Sequence, residues 1–185
     1  PRLNCRRQRQ MCIRDSLLDV TGCWALEVYN GGCEVDDAKG FSTVHWDDLL
    51  AAGCRLWGVA VDDAHWRDGS KDAGLGWVWV KALALNQAAI LQALEEGHFY
   101  ASSGPQILDL HLDEGGDWLH VHCSPSTVID FVGPGPASHR VAAPAGGTLE
   151  KASYRLWKGQ GYLRVACQDV QGRWAWTNPL FLDPR

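Results

Sequence analysis

The second half of the chain has no helical periodicity, and this restricts its fold more than any other feature. After Pro105 the apolar residues alternate with polar ones in short runs, which Gly- and Pro-rich turns separate. A period of two is typical of strands that bury one face, and closely spaced strands indicate an antiparallel sandwich. We therefore expect a small antiparallel β-sandwich over residues 105–185. Its predicted strands are 107–112, 118–123, 127–132, 152–156, 162–169 and 174–178.

Residues 17–104 follow a different pattern, in which predicted strands and helices alternate. Asn86 is a favourable N-cap for the second helix, and Gly97 is placed to close it. Strand, helix and strand joined by short links are typical of a parallel sheet or barrel, so this part is predicted to be α/β. The predicted strands are 24–30, 55–61 and 76–82, and the predicted helices are 43–52 and 86–96.

Residues 1–16 differ in composition from the rest of the chain. They combine five arginines with almost no apolar periodicity. The run MCIRDS at residues 11–16 resembles the translation of a transposase adapter used in sequencing libraries. We interpret the segment as an assembly artefact, with a disordered tail as the alternative, and leave it out of the fold prediction.

Charge and cysteine content narrow the class of protein. The net charge of -5 disfavours a nucleic-acid partner, and no apolar run is long enough for a membrane span. The seven cysteines include no C-x-x-C pair, which disfavours a zinc knuckle or a redox motif. An odd number at irregular spacing favours reduced, buried thiols, and we expect a cytoplasmic protein.

The motif Asp63-Ala64-His65 is the sharpest chemical feature of the sequence. It follows an apolar predicted strand, and if strand geometry persists the two side chains point the same way. A carboxylate with an imidazole suits zinc, manganese or iron. The alternative is a loop in which Asp62 or Asp63 caps a turn and His65 is solvated.

Three other features are weaker candidates for the site. Asn30 ends the preceding strand and is a candidate second-shell or substrate contact, although a turn-forming role before Gly31 explains it equally well. Trp66 is a candidate wall of a substrate pocket. His120 and His122 share a predicted strand face, which we interpret as a solvent-facing polar row and not as a metal site.

Several ordered segments resemble the closing portion of the PHP (polymerase and histidinol phosphatase) domain, in the branch that includes carbaryl-hydrolase-like proteins. The tail also resembles the accessory domain of that branch. The first set is LEVYNGGCE (26–34), HWDDLLAAG (45–53), WGVAVDDAHW (57–66), GWVWVKA (76–82) and AILQALEEGHFYASSGP (89–105). The tail segments are CSPSTVIDFVG (123–133) and YLRVACQDVQGRWAWTNPLF (162–181).

The resemblance implies the C-terminal part of a distorted (βα) barrel over residues 17–104, followed by the accessory sandwich. It also implies a metal-dependent hydrolase whose divalent ions activate water, with Asp63 and His65 in the family's last metal motif. The family's earlier His-x-His motif has no counterpart before His65. We therefore expect the chain to be an inactive fragment of an enzyme that cleaves small phosphoesters or related esters. The alternative is a non-catalytic binding or structural module built on the β-sandwich.

Overall fold

The computed structural model describes residues 17–66, 69 and 71–182, so the interpretation of residues 1–16 lies outside the described residues. No helix in these ranges is long and apolar enough to cross a membrane. The helices are α1 Gly31–Asp37, α2 Thr43–Ala51 and α3 Gln87–Glu95, with a short 3-10 helix at Gly135–Ala137. The strands are β1 Ala25–Asn30, β2 Trp57–Val61, β3 Trp77–Val80, β4 Phe99–Ser102, β5 Ile107–Leu112, β6 Trp118–Ser126, β7 Val128–Val132, β8 His139–Ala142, β9 Leu149–Arg155, β10 Tyr162–Gln168, β11 Trp174–Thr177 and β12 Leu180–Phe181.

The described strands form three sheets in three layers. A seven-stranded sheet has the order β3-β4-β11-β10-β7-β8, with β12 added against β10. One of its faces packs on the three-stranded sheet β5-β6-β9, and its other face packs on the pair β1-β2 and helix α2. The large sheet is therefore the middle layer of the molecule.

Strand β10 contributes to the hydrophobic cores on both sides of the middle layer. Leu163 and Val165 point into the core shared with the three-stranded sheet, whereas Tyr162 and Ala166 point into the core shared with β1, β2 and α2. Successive strand residues face opposite sides of a sheet, so a strand covered on both faces is buried along most of its length. This is why six consecutive residues of β10 are buried.

The α/β prediction is wrong, and with it the expected C-terminal part of a (βα) barrel. Strands make up 39% of the structure and helices 18%, and the sheets are antiparallel except for the pair β1-β2. The helix in the predicted strand–helix–strand unit is present as α3, but β3 and β4 are antiparallel neighbours. The fold is of the β-sandwich type.

The connection between β3 and β4 explains this difference. Val80, the last residue of β3, pairs with Phe99, the first residue of β4. The loop 81–86 therefore leads away from the sheet, and α3, about 13 Å long, returns the chain to the end of the sheet that it left. A parallel neighbour would require the connection to reach the opposite end of β3.

Strands from both sides of residue 104 lie in the middle sheet. β4 pairs with β11 through Ala101 and Trp176, although the two strands are far apart in the sequence. At the junction, the Ser102 hydroxyl donates to the carbonyl of Pro105 at 2.7 Å. The segments that precede and follow the sequence-based boundary therefore share one sheet.

Helix α2 is held on β2 by an indole ring that lies over a glycine. Trp46 is fully buried, and a Cβ added to Gly58 would lie 2.6 Å from its ring. The Trp46 Nε1–H group donates to the carbonyl of Leu56 at 3.0 Å. On the side of the middle sheet, the Gly58 N–H group donates to Asn178 Oδ1 at 2.9 Å. Gly58 thus allows helix, strand and sheet to meet without a gap.

Candidate functional site

Two carboxylates meet at one amide where the parallel strands β1 and β2 end side by side. Asn30, the last residue of β1, pairs with Val61, the last residue of β2. The Asn30 Nδ2 group donates to Glu27 Oε1 at 2.8 Å and to Asp63 Oδ2 at 3.2 Å. We refer to Glu27, Asn30 and Asp63 as the strand-end cluster. Both acidic residues of the cluster are exposed, so a ligand has access to them.

A β-bulge brings Glu27 and Asn30 together. Residues three apart in a regular strand point to opposite faces. The register of β1 against β2 shifts between Glu27 and Tyr29, which leaves Val28 as an extra residue. A bulge of this kind reorients the side chains that follow it. Glu27 and Asn30 therefore point the same way, and their side chains hydrogen-bond.

Asn30 has a second role as the N-cap of α1. Its Oδ1 atom accepts a hydrogen bond from the Cys33 N–H group at 2.8 Å, and its backbone is extended. An Asn side chain satisfies one of the free N–H groups at the start of a helix in this way. Asn30 thus contacts Asp63 beyond the end of β2 and also caps the helix that follows it, and its role as a second-shell or substrate contact stays a prediction.

The chain leaves strand geometry before it reaches the Asp-x-His motif. Strand β2 ends at Val61, and Asp63 has a left-handed φ of 55°. The i, i+2 rule for strands therefore does not orient the motif. Asp63 contacts Asn30, whereas the His65 N–H group donates to Asp72 Oδ2 at 2.8 Å and the His65 ring lies 4.0 Å from the same carboxylate.

The contacts of Asp63 and His65 consequently lead to different partners. The side chain of His65 is 52% exposed. Within residues 17–66, 69 and 71–182, no group of three or more His, Cys, Asp or Glu side chains is arranged to hold a metal ion. The strand-end cluster thus offers two carboxylates, with an imidazole nearby in the sequence.

The Asp62 side chain is hydrogen-bonded to the adjacent loop. Its carboxylate accepts hydrogen bonds from the N–H groups of Gly74, Leu75 and Gly76 at 2.6, 2.6 and 2.7 Å. Partial burial raises the pKa of this carboxyl, but the three hydrogen bonds outweigh that effect and lower the pKa below its usual value. Its backbone carbonyl also accepts from Gly32 at 2.8 Å. Asp62 therefore holds the loop against the start of α1.

Replacing Asp62 by asparagine is expected to loosen the loop 74–76. We expect amide hydrogen exchange there to become on the order of 10-fold faster at neutral pH, because a charged acceptor is lost. A lowered pKa contributes stability above the ordinary carboxyl pKa, and that stability is lost as the pH falls through the folded value. In the unsubstituted chain, the protection of the amides of residues 74–76 against hydrogen exchange should therefore decrease below about pH 4. The Asp62→Asn variant should lack this decrease. The exposed Asp36, replaced in the same way, is the control; equal effects of the two substitutions would contradict the prediction.

Trp66 and the motif residues do not line any of the three best-defined cavities in the described part of the chain. Trp66 is 81% exposed and has a left-handed φ of 52°. One of them, of about 740 Å³, lies against Trp57, Trp79 and Tyr100. Trp57 begins β2, so this cavity is at the opposite end of that strand from the cluster. Two smaller cavities of about 330 and 310 Å³ are lined by other segments.

The His-x-His pair lies on the outer face of the three-stranded sheet. His120 pairs with His111 across the strands, and their rings stack with centroids 5.2 Å apart. His120 Nδ1 lies 2.7 Å from the Ser153 hydroxyl, and His111 Nδ1 lies 2.7 Å from Asp109 Oδ2. His122, two residues further along β6, shares this face. These histidines thus belong to a polar row on the sheet surface, in which His111 and His120 contact Asp109 and Ser153.

Glu27 is the member of the cluster that sequence reasoning missed. A single acidic residue in the otherwise apolar run LEVY was the available signal. In a regular strand Glu27 and Asn30 would lie on opposite faces, and only the bulge at Val28 places them on the same side. Asp72 was missed because it lies on a polar loop with no periodic pattern.

Protein-family models, curated proteins and solved structures were compared with the chain, and none matches. The function is therefore inferred from the residues of the cluster and from the sequence pattern.

Proposed function

We propose that this chain supplies part of the metal site of a metal-dependent hydrolase that cleaves small phosphoesters or related esters. The observation that supports the proposal best is the shared hydrogen bonding of Glu27 and Asp63 to the Asn30 amide. These groups lie at the carboxyl ends of two parallel strands, which is where ligands bind in folds with parallel sheets. The resemblance of residues 26–105 to PHP metallohydrolases points to the same chemistry.

The donor set fits a divalent cation only in part. Carboxylate oxygens with an imidazole nitrogen suit zinc, manganese or iron, and such an ion supplies a hydroxide by lowering the pKa of bound water. Catalytic sites of this kind hold the metal with at least three protein ligands. Glu27 and Asp63 offer two, and His65 contacts Asp72 instead. We propose that the remaining ligands belong to another part of the parent enzyme.

The roles of the cluster residues follow from their contacts. Glu27 and Asp63 are the proposed metal-binding carboxylates, and Asn30 is the residue that positions both of them. Because Asn30 also caps α1, its orientation is fixed by the helix backbone. The free cysteines at positions 23, 33, 54, 123 and 167 support a reducing compartment, and we propose the cytoplasm.

The chain by itself is expected to bind zinc or manganese weakly and to hydrolyse p-nitrophenyl phosphate no faster than buffer. Calorimetry and a spectrophotometric assay measure the two quantities. In a longer parent protein that adds a His-x-His motif, the Asp63→Ala substitution is expected to lower hydrolysis by about 100-fold or more. The matched control is His120→Ala, which removes a metal-binding residue type from the polar row.

Two outcomes would contradict the proposal. Rapid hydrolysis by the chain alone that survives Asp63→Ala would separate the activity from the cluster. An active parent protein that tolerates Asp63→Ala and Glu27→Gln as well as it tolerates His120→Ala would do the same.

A further inference from the structure

A cavity of about 310 Å³ lies on the face of the middle sheet that carries α2. It is separate from the strand-end cluster, whose residues do not line it. Its walls include Arg140, Arg164 and Asp130, and the other residues that line it are uncharged. The walls therefore carry one net positive charge, which favours an anion as the occupant.

The cavity contains a row of side chains that pair directly across four strands. Arg140, Asp130, Ala166 and Trp176 are successive partners in β8, β7, β10 and β11. Directly paired residues point to the same face of a sheet, so these four side chains project into the same layer. Ala166 lies between Asp130 and Trp176, and its small side chain leaves space above the sheet.

Arg164 brings a buried cation to the wall of the cavity. Its side chain is 3% exposed, and its Nε and Nη2 atoms each donate to a carboxylate oxygen of Asp47 at 2.7 Å. Its Nη1 atom is buried and has no hydrogen-bond partner among the described residues. Buried donors without a partner are rare, and a bound ion is one of the groups that satisfy them. An acceptor oxygen of a ligand would complete the hydrogen bonding of this guanidinium.

Arg140 is the accessible cation of the same cavity. Its side chain is 62% exposed, and its Nε and Nη2 atoms donate to Asp130 at 2.7 Å each. Asp130 and Asp47 thus fix the orientation of the two guanidinium groups before a ligand binds, which lowers the entropic cost of binding. Arginine forms strong charge-assisted hydrogen bonds with phosphate oxygens.

The start of α2 also borders the cavity. Thr43 is the first residue of this nine-residue helix and lines the cavity, and Ser42 at the N-cap makes no side-chain hydrogen bond to the first turn. The first N–H groups of a helix have no acceptor within the helix and carry a partial positive charge, so they favour anions. Donors from three elements suit an oxyanion with three free oxygens, as in a phosphate group, better than a carboxylate with two.

Aromatic side chains form another part of the wall. Phe41, Trp174 and Trp176 line the cavity. The Phe41 side chain is 47% exposed, and its ring centroid lies 6.2 Å from that of Trp176. Flat apolar groups pack favourably on phenyl and indole rings. The volume is at the lower end of the range for small-molecule sites, so the cavity has room for one ring beside a phosphate group.

We propose that this cavity binds a small aromatic phosphate monoester. The phosphate group lies between Arg140, Arg164 and the start of α2, and the aromatic ring lies against Trp174 and Phe41. The proposal concerns binding alone, because no bond of the ligand is made or broken in the cavity. It does not depend on a metal at the strand-end cluster, since the two sites share no residue.

The test titrates the full 185-residue chain, free of metal, with phenyl phosphate and with inorganic phosphate. Nuclear magnetic resonance of ¹⁵N-labelled protein follows the titration at constant ionic strength, which is kept with sodium chloride. We expect saturable shifts of the amide signals of residues 43–45 and of the Nε–H signals of Arg140 and Arg164. Phenyl phosphate is expected to bind about 10-fold more tightly than inorganic phosphate, because its ring packs on the aromatic wall.

Arg140→Gln is expected to weaken the binding of both compounds by about 10-fold, because it removes a charged donor. Arg173→Gln is the matched control. The Arg173 side chain is 52% exposed and also donates to an aspartate, Asp169, but it does not line the cavity. Its replacement is expected to leave both affinities unchanged. Trp174→Leu is expected to remove the preference for phenyl phosphate while inorganic phosphate still binds.

Four results would overturn the proposal. Shifts that rise in proportion to concentration without saturation would mean that there is no site, and saturable shifts confined to residues outside the cavity would place the site elsewhere. Equal weakening by Arg140→Gln and Arg173→Gln would reduce the effect to overall charge. Equal affinities of the unsubstituted chain for the two compounds would rule out the aromatic ligand. The titration of the unsubstituted chain needs no variant to fold.

Discussion

Replacing Asp47 by alanine is expected to lower the free energy of unfolding by about 3 kcal/mol. The reason is the guanidinium of Arg164, whose side chain is only 3% exposed. Its Nε and Nη2 atoms each donate to a carboxylate oxygen of Asp47 at 2.7 Å. Its Nη1 atom is buried without a hydrogen-bond partner, and its Cζ atom lies 4.8 Å from the centre of the Trp46 ring. Without Asp47 the cation stays buried with no counter-charge.

A second ion pair, which joins the neighbouring strands β7 and β8 of the middle sheet, is the matched control. Asp130 accepts from Nε and Nη2 of Arg140 at 2.7 Å each, which is the same two-point geometry, but the Arg140 side chain is 62% exposed. Asp130→Ala is expected to cost no more than about 1 kcal/mol, because water solvates the arginine that remains. Urea unfolding of the two variants measures the free energy of unfolding that each substitution removes. Equal losses would show that burial of the arginine does not determine the cost of removing its aspartate.

A double variant separates loss of the pair from burial of an unpaired charge. Arg164→Met removes the cation while it keeps most of the volume and apolar stem of the side chain. Replacing both partners of a buried ion pair by apolar groups is commonly far less damaging than replacing one. Asp47→Ala with Arg164→Met is therefore expected to recover much of the stability that Asp47→Ala alone loses. A double variant no more stable than the single one would contradict this explanation.

Trp46→Ala is expected to lower the free energy of unfolding by about 3–5 kcal/mol. The indole is 0% exposed, lies directly on Gly58, and donates to the carbonyl of Leu56 at 3.0 Å. Its removal leaves a cavity between α2 and β2 and exposes one side of Arg164. For a chain of this size, 1 kcal/mol corresponds to about 2–4 °C, so the unfolding temperature is expected to fall by about 10 °C.

Trp66→Ala is the control for this substitution. Trp66 is 81% exposed, and the same loss of an indole at an exposed position is expected to change the free energy of unfolding by less than about 0.5 kcal/mol. Thermal unfolding followed by far-ultraviolet circular dichroism compares the two variants. If Trp66→Ala lowered the unfolding temperature as much as Trp46→Ala does, the assignment of Trp46 to the core would be contradicted.

Local signals in the sequence located most elements correctly. Helix α3 begins after Asn86, whose Oδ1 atom accepts from the Ala89 N–H group at 2.9 Å, and the chain turns at Gly97 with a φ of 76°. The strand at Ile107–Leu112 has the predicted bounds, because alternation and a turn at each end define it. Caps and a period of two act within a few residues, so a single sequence is enough to detect them.

Helix α1 was not predicted, because two consecutive glycines disfavour a helix. Gly31 and Gly32 begin the helix, and Asn30 caps it. A Cβ at Gly31 would collide with Leu75, and one at Gly32 would lie 3.1 Å from the carbonyl oxygen of Asp62. The glycines therefore meet a requirement of tertiary packing against the loop 71–76, which the local sequence does not reveal.

Strand pairing and side-chain direction were the parts that the sequence could not predict. Parallel and antiparallel neighbours share the same local periodicity, so β3 and β4 looked like members of a parallel sheet. Asp63 and His65 were placed on one face by strand geometry, but the backbone turns left-handed at Asp63. The contact between Asn30 and Asp63 depends on both strand ends and on the bulge at Val28.

The position of β10 in the sequence has a consequence for how the chain folds during synthesis. This strand is hydrogen-bonded to β7, β11 and β12 and contributes side chains to the cores on both sides of the middle sheet. Neither core is complete until residues 162–168 have left the ribosome. The apolar faces of α2 and β6 are synthesised earlier and stay exposed to solvent until β10 is available to cover them. This slows folding and lengthens the time during which these faces can aggregate.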